Sequence, residues 1–145
     1  MKTKIFNSNK ITKSDLRTLI CVTAKKFGVN RVIFSNKAKR VKGTYNAFTK
    51  NLYLDTRLTK KDMMHAFFHE LGHHFAVKRN LWKSYHYCTV AAMSIERIFE
   101  IENGVDGIGQ KLWHEYVNAK QWGRYKYSYP KSQKYFIIKN FISKQ

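Results

Sequence analysis

Cysteine, proline and acidic residues are scarce in this chain, and each shortage excludes something. The two cysteines, Cys21 and Cys88, stand far apart and lack zinc-knuckle spacing, so buried free thiols in a reducing cytosol are expected rather than a disulfide. A single proline, Pro130, and seven scattered glycines supply no linker, and there is neither an internal repeat nor a low-complexity tract. No apolar run is long enough to span a bilayer. Residues 1–7 carry charge with no apolar run behind them, which excludes a signal-peptide reading and leaves a cytoplasmic location as the expectation. Nine Asp and Glu stand against 28 Lys and Arg, for a net charge of +19. Asp15 is the only acid before Asp55 and none follows Glu115, so the acids gather in mid-chain.

What is present is enough for one globular domain over residues 1–145, since 43% hydrophobic content can fill a core at this length. The positive charge has two readings. Coding biased toward A and T enriches Lys, Asn, Ile, Tyr and Phe together, with no functional meaning. The alternative is attraction to nucleic acid or to an acidic partner.

The most informative stretch is His69-Glu70-Leu71-Gly72-His73, inside an apolar-periodic segment over residues 60–78. Histidines four apart on a helix project about 40° from one another, so both reach one metal ion. Glu70 stands at the edge of that face, beside a water on the ion. In this H-E-x-x-H arrangement the histidines bind zinc and the glutamate is a general base. Thr59-Lys60-Lys61-Asp62 reads as a capping box that starts the helix. Met63, Met64, Phe67, Phe68, Leu71, Phe75 and Ala76 form a broad apolar stripe. Ionisable side chains buried in such a helix are costly unless paired or metal-bound. Gly72 costs about 1 kcal/mol of helix propensity, and its missing side chain lets another element pass close to the metal. His65, one turn before His69, is placed near the site as a hydrogen-bonding group. His74, about 100° round from His73, is expected to face solvent or a neighbouring helix; neither is read as a ligand.

The remaining pattern predicts an α+β fold of the compact, single-domain, minimal-zincin kind. Residues 12–27 predict an N-terminal helix capped by Thr12 or Ser14, with Leu16, Leu19, Ile20, Ala24 and Phe27 inward and Gly28 ending it. Three strands follow, at residues 31–35, at 40–48 with a bend near Gly43, and at 52–55 after a turn at Lys50-Asn51. Beyond the motif helix, residues 81–87 read as a loop or short turn and 89–102 as another helix. Whether that helix continues through Gly104 and Gly107 toward Tyr116 stays open. Residues 121–129 interleave Trp122, Tyr125, Tyr127 and Tyr129 with basic residues, and 131–143 read as a last short helix. Residues 117–145 thus form a packed C-terminal layer, or a basic aromatic tail suited to base stacking with phosphate contacts.

A catalytic zinc takes three protein ligands and one open position. Glu102 is the preferred third ligand, because Asp106 follows it one helical turn on. There Asp106 can accept the outer ring N–H of a ligating histidine and fix its orientation. His86 would make a three-histidine site, and Glu96 and Glu100 share the helical stretch without an Asp or Asn four residues later.

His69-Glu-Leu-Gly-His73 followed by Glu102-Asn-Gly-Val-Asp106-Gly-Ile-Gly109 resembles the gluzincin peptidases of the ImmA/IrrE type. In that family H-E-L-G-H precedes a helix bearing E-x-x-A-[ND]-x-[FI]-A, which Glu102, Val105, Asp106, Ile108 and Gly109 match by position. Gly43-Thr-Tyr45 and Leu52-Tyr-Leu54 are similar to its small sheet. The likeness spans about residues 31–112, with a motif core over about 31–116. Gly104, Gly107 and Lys111-Leu-Trp-His-Glu-Tyr116 depart from the family's pattern. The resemblance implies a small zinc peptidase of phages, mobile elements or bacteria, some of which cut DNA-binding repressors. SprT/Spartan-like proteases share the order of elements, and His86 falls near their third ligand. Tyr85-His86-Tyr87, however, lacks their His-Gly pair and reads as a polar, aromatic surface turn.

The expected chemistry is hydrolysis of a protein or peptide substrate, with zinc on His69, His73 and Glu102 and with Glu70 as base. His86, His114 and Tyr116 are candidates to steady the oxyanion, and an edge strand, 43–48 or 52–55, could pair with an extended substrate. Competing readings are a basic nucleic-acid-binding module with structural zinc, and an inactive relative that only binds a partner. The intact Glu70 speaks against the last.

Overall fold

The computed structural model describes residues 4–36, 41–87 and 93–127. Its first helix, α1 (Lys13–Lys26), is capped by Thr12, whose side chain accepts from the Asp15 N–H. Gly28 follows with φ +90°, a conformation open to glycine, and turns the chain into the sheet. Strands β1 (Arg31–Ser35), β2 (Gly43–Asn46) and β3 (Asn51–Asp55) form a mixed sheet in the order β1-β3-β2, with β3 parallel to β1 and antiparallel to β2. The fold is α+β. The second strand is shorter than the pattern predicts, because the Asn46 side chain accepts from the Phe48 and Thr49 N–H groups and starts a turn. The turn ends at Lys50 (φ +58°), and Asn51 already belongs to β3. β3 is central, so 52–55 offers no edge; among the described strands the free edges are those of β1 and β2.

Helix α2 (Lys60–Lys78) starts at Thr59, whose side chain accepts from the Asp62 N–H. It is buried on nearly every side, as the central helix of a small domain must be. Leu52 and Leu54 of β3 join the same core as Met63, Met64, Phe67, Phe68 and Leu71. After Asn80 (φ +58°) the chain forms a short helix, α3 (Lys83–Tyr87), where a loop or turn was expected. Then α4 (Ile95–Tyr116), capped by Ser94, runs unbroken through Gly104 and Gly107. Each glycine costs about 1 kcal/mol, whereas burying each of Ile98, Ile101, Val105, Ile108 and Leu112 contributes about 1.5–3 kcal/mol. The stripe outweighs the glycines. A one-turn helix, α5 (Ala119–Trp122), closes the described part.

Where α2 and α4 cross, glycines face backbone from both sides. A Cβ on Gly72 would come within 2.5 Å of the Val105 carbonyl oxygen, and one on Gly109 within 2.8 Å of the Phe68 carbonyl oxygen. Only glycine permits that approach. The N-terminal segment adds an unforeseen core residue: Phe6 bridges to Val117 and packs its ring on Phe67 and Phe68. Cys21 is a half-buried free thiol. Cys88, the helix expected at 131–143 and most of the basic aromatic tail lie outside the described residues. Among the described residues no helix is long and apolar enough to cross a membrane.

Candidate metal centre

His69, Glu70 and His73 are all buried, and their ligating atoms lie within 4.8 Å of one another, a group that can hold a metal ion. The helical spacing puts both rings on the side of α2 that faces α4, and the glycine crossing brings α4 close enough to add Glu102. Its Oε2 lies 3.1 Å from Nε2 of His69 and 3.1 Å from Nε2 of His73. Glu70 stands further off, with Oε1 3.9 Å from Nε2 of His73. Two imidazole nitrogens and one carboxylate oxygen therefore converge, with a second carboxylate beside them.

The outer ring nitrogens are also held. Nδ1 of His69 is 3.1 Å from Oδ1 of Asp106, and that oxygen accepts from the Tyr125 hydroxyl. Nδ1 of His73 is 3.0 Å from Nε2 of His86. The Tyr85 hydroxyl donates to Oε1 of Glu102. Tyr127 stacks on the His69 ring at 4.2 Å, and the Lys42 ammonium lies 5.8 Å from the centre of the Tyr127 ring.

Charge follows this geometry. Burial opposes a charged His69, but its hydrogen bonds to Asp106 and Glu102, with the nearby Glu70 charge, raise its pKa to about 10. Burial likewise opposes a charged Glu102, yet His73 and the hydrogen bonds of both rings hold it well below the ordinary carboxylate range. Burial pushes the Glu70 carboxyl up, and His69 and His73 offset only part of that rise. Burial, then the charge of His73, lowers His86.

The expected site residues separate cleanly. Glu102 and Asp106 meet the histidines, whereas Glu96 is exposed and Glu100 is exposed and paired with Arg97. His86 reaches the outer nitrogen of His73, away from the point where the donors converge. His114 is exposed, and Tyr116 packs on Phe27, remote from the donor cluster. His65 packs on Trp113 and Tyr125 and has no hydrogen-bond partner at Nε2 among the described residues. His74 does not face solvent: it is buried, with Nδ1 2.6 Å from the Tyr45 hydroxyl and Nε2 2.7 Å from the Phe27 carbonyl. Burial lowers its pKa, consistent with a neutral ring tying α2 to the end of α1. The sequence reading missed Tyr85, Tyr125 and Tyr127. Only their closeness to other aromatics marked them, and no spacing tied them to the motif.

A zinc ion fits this donor set. Ligands about 2.0–2.1 Å from a tetrahedral zinc stand roughly 3.3 Å apart, close to the contacts Glu102 makes with both rings. Neutral imidazoles with their outer N–H groups engaged by acceptors are the usual surroundings of such an ion. Comparison with known proteins found no matching family model, no matching curated protein and no matching solved structure.

Proposed function

We propose that the chain is a zinc-dependent endopeptidase of gluzincin type, with His69, His73 and Glu102 as ligands and Glu70 as general base. The observation that carries this reading is the single Oε2 of Glu102 standing 3.1 Å from Nε2 of both motif histidines. Glu70 is preferred as base rather than ligand because its Oε1 stands 3.9 Å from Nε2 of His73, further than the 3.1 Å at which Glu102 meets the same nitrogen. A zinc ion bound there would supply Lewis acidity toward a carbonyl and a water whose pKa is near 7.

The chain's own residues do the rest. Glu70, whose carboxyl burial makes more basic than an ordinary one, would take a proton from the water and return it to the leaving amine. Burial of the cluster excludes bulk water and strengthens each electrostatic contact. Once the ring gives up its second proton to metal binding, Asp106 would hold the remaining one on Nδ1 of His69 and leave the Nε2 lone pair to the ion. β2, which has a free edge among the described strands, lies near Glu70: a Cβ on Gly43 would meet the Glu70 side chain at 3.2 Å. Along that edge an extended peptide can add as a further strand, its backbone read without regard to sequence.

The test is cleavage of an unfolded protein by zinc-loaded wild type and Glu70→Gln. Expected are one bound zinc in both, chelator-sensitive cleavage by wild type, and a loss of about two to four decades in Glu70→Gln. Equal rates in the two proteins, or no zinc uptake, would overturn the reading.

A further inference from the structure

Helix α3 has five residues and none of them is buried, so the hydrophobic core does not hold it. Tyr87 meets the exposed Phe48 ring, while Tyr85 and His86 lead to the candidate metal centre. The Tyr85 hydroxyl donates to Oε1 of Glu102, the oxygen not turned to the histidines. His86, the next residue, meets Nδ1 of His73 with its Nε2. The two rings are nearly perpendicular, at 78°, so adjacent side chains reach different ligands. Just ahead of α3, the Trp82 indole lies over Gly104 of α4, where a Cβ would come within 2.7 Å of the ring.

The connection into α3 is also strained. Asn80 and Trp82 hold φ values of +58° and +51°. Such a conformation costs a side-chain-bearing residue on the order of 1 kcal/mol and persists where the surroundings impose it. The tautomers agree along the whole chain of contacts. For His73 to offer Nε2 to a cation, its proton sits on Nδ1 and is donated to Nε2 of His86. The His86 proton is then on Nδ1, which lies 3.1 Å from the Trp82 carbonyl oxygen. Every link has one donor and one acceptor, and the last acceptor is backbone. Tyr85 acts in parallel: by donating to Oε1 of Glu102 it leaves Oε2 for the cation.

We infer that Tyr85 and His86 are positioning residues, adjacent side chains through which α3 orients one metal ligand from each long helix, His73 of α2 and Glu102 of α4. This rests on the reading that His69, His73 and Glu102 hold the cation. Outer partners of this kind change metal affinity by about 10–100-fold when removed.

The experiment measures zinc affinity by competition with a chromophoric chelator, and the visible spectrum of the Co2+-loaded protein. It uses the full chain as wild type, Tyr85→Phe, His86→Ala, His86→Gln and Glu102→Gln. Expected is a loss of roughly 10–100-fold in zinc affinity for Tyr85→Phe and for His86→Ala, with altered Co2+ spectra. His86→Gln, whose amide oxygen can accept the His73 proton, should recover most of its loss. If Tyr85→Phe and His86→Ala match wild type while Glu102→Gln binds weakly, the inference is overturned and the ligand assignment stands. If Glu102→Gln also matches wild type, the ligand assignment itself falls. An unfolding midpoint of the metal-free protein that drops alike in His86→Ala and His86→Gln, with no recovery of affinity, would reduce α3 to a structural prop and overturn the inference too.

Discussion

Gly72 on α2 lies so near Val105 on α4 that a Cβ at position 72 would come within 2.5 Å of the Val105 carbonyl oxygen. The contact sets the separation of the two helices, and with it the reach of Glu102, three residues before Val105, to His69 and His73. The backbone approach and the ligand geometry are therefore one constraint.

Gly72→Ala tests it. In an exposed helix the change stabilises by about 1 kcal/mol. Here the obstacle is a backbone carbonyl that cannot rotate away, and overpacking of this kind costs about 1–3 kcal/mol. The expected net effect is destabilisation on the order of 1 kcal/mol, with weaker zinc binding as α4 backs away. Urea denaturation and chelator competition measure the two. A variant as stable as wild type with unchanged affinity would mean that the helices do not meet at Gly72.

Asp106 accepts from two donors, the outer N–H of His69 and the Tyr125 hydroxyl. Asp106→Ala leaves the His69 ring without its orienting acceptor, and zinc affinity should fall about 10–100-fold. Asp106→Asn keeps one acceptor oxygen and should fall less. Affinity equal to wild type in Asp106→Ala would remove Asp106 from the site.

Local signals carried much of this structure. Thr12 and Thr59 cap the helices that the polar residues there announce, and Gly28 ends the first. The motif spacing placed His69 and His73, and the four-residue step from Glu102 to Asp106 placed a pair that the fold does bring together. What stayed open or was misplaced had been read from one segment alone. The fate of α4 across Gly104 and Gly107 depends on a partner helix, and tertiary burial decides it. Tyr85 and His86 look like a surface turn in sequence, because nothing local says which way a five-residue helix will face. Phe6 sits in a polar, basic stretch, and only the pairing of that stretch with Val117 buries it.

Phe6 supplies a test of that last point. It is 1% exposed and rests on Phe67 and Phe68, both in the hydrophobic core. Phe6→Ala should destabilise by about 3–5 kcal/mol, the usual consequence of emptying an aromatic site. Thermal or denaturant unfolding of the full chain measures this. A loss below about 1 kcal/mol, within the range of an ordinary surface substitution, would mean that the segment is not docked.

Metal uptake and pH are linked through His69 and Glu102. In the metal-free protein the pKa of His69 is raised from 6.5 to about 10, so near neutral pH the ring carries a proton on the nitrogen that faces Glu102. Its stabilising effect is complete below about pH 6.5 and is lost as pH rises through about 10. Glu102 acts in the opposite sense: its carboxylate is held well below 4.5, so its contribution is present above that value and is lost as pH falls through the lowered pKa. The metal-free protein should therefore lose stability between pH 7 and 10. A zinc ion needs the same nitrogen without its proton, so binding at pH 7 should release about one proton from His69. Zinc affinity should then rise about tenfold per pH unit between pH 7 and 9. Calorimetric titrations in buffers of different ionisation enthalpy count the proton, and chelator competition across that range measures the slope. A flat affinity with no proton released would show that His69 is already neutral when the metal arrives, and that its contact with Glu102 is not an ion pair.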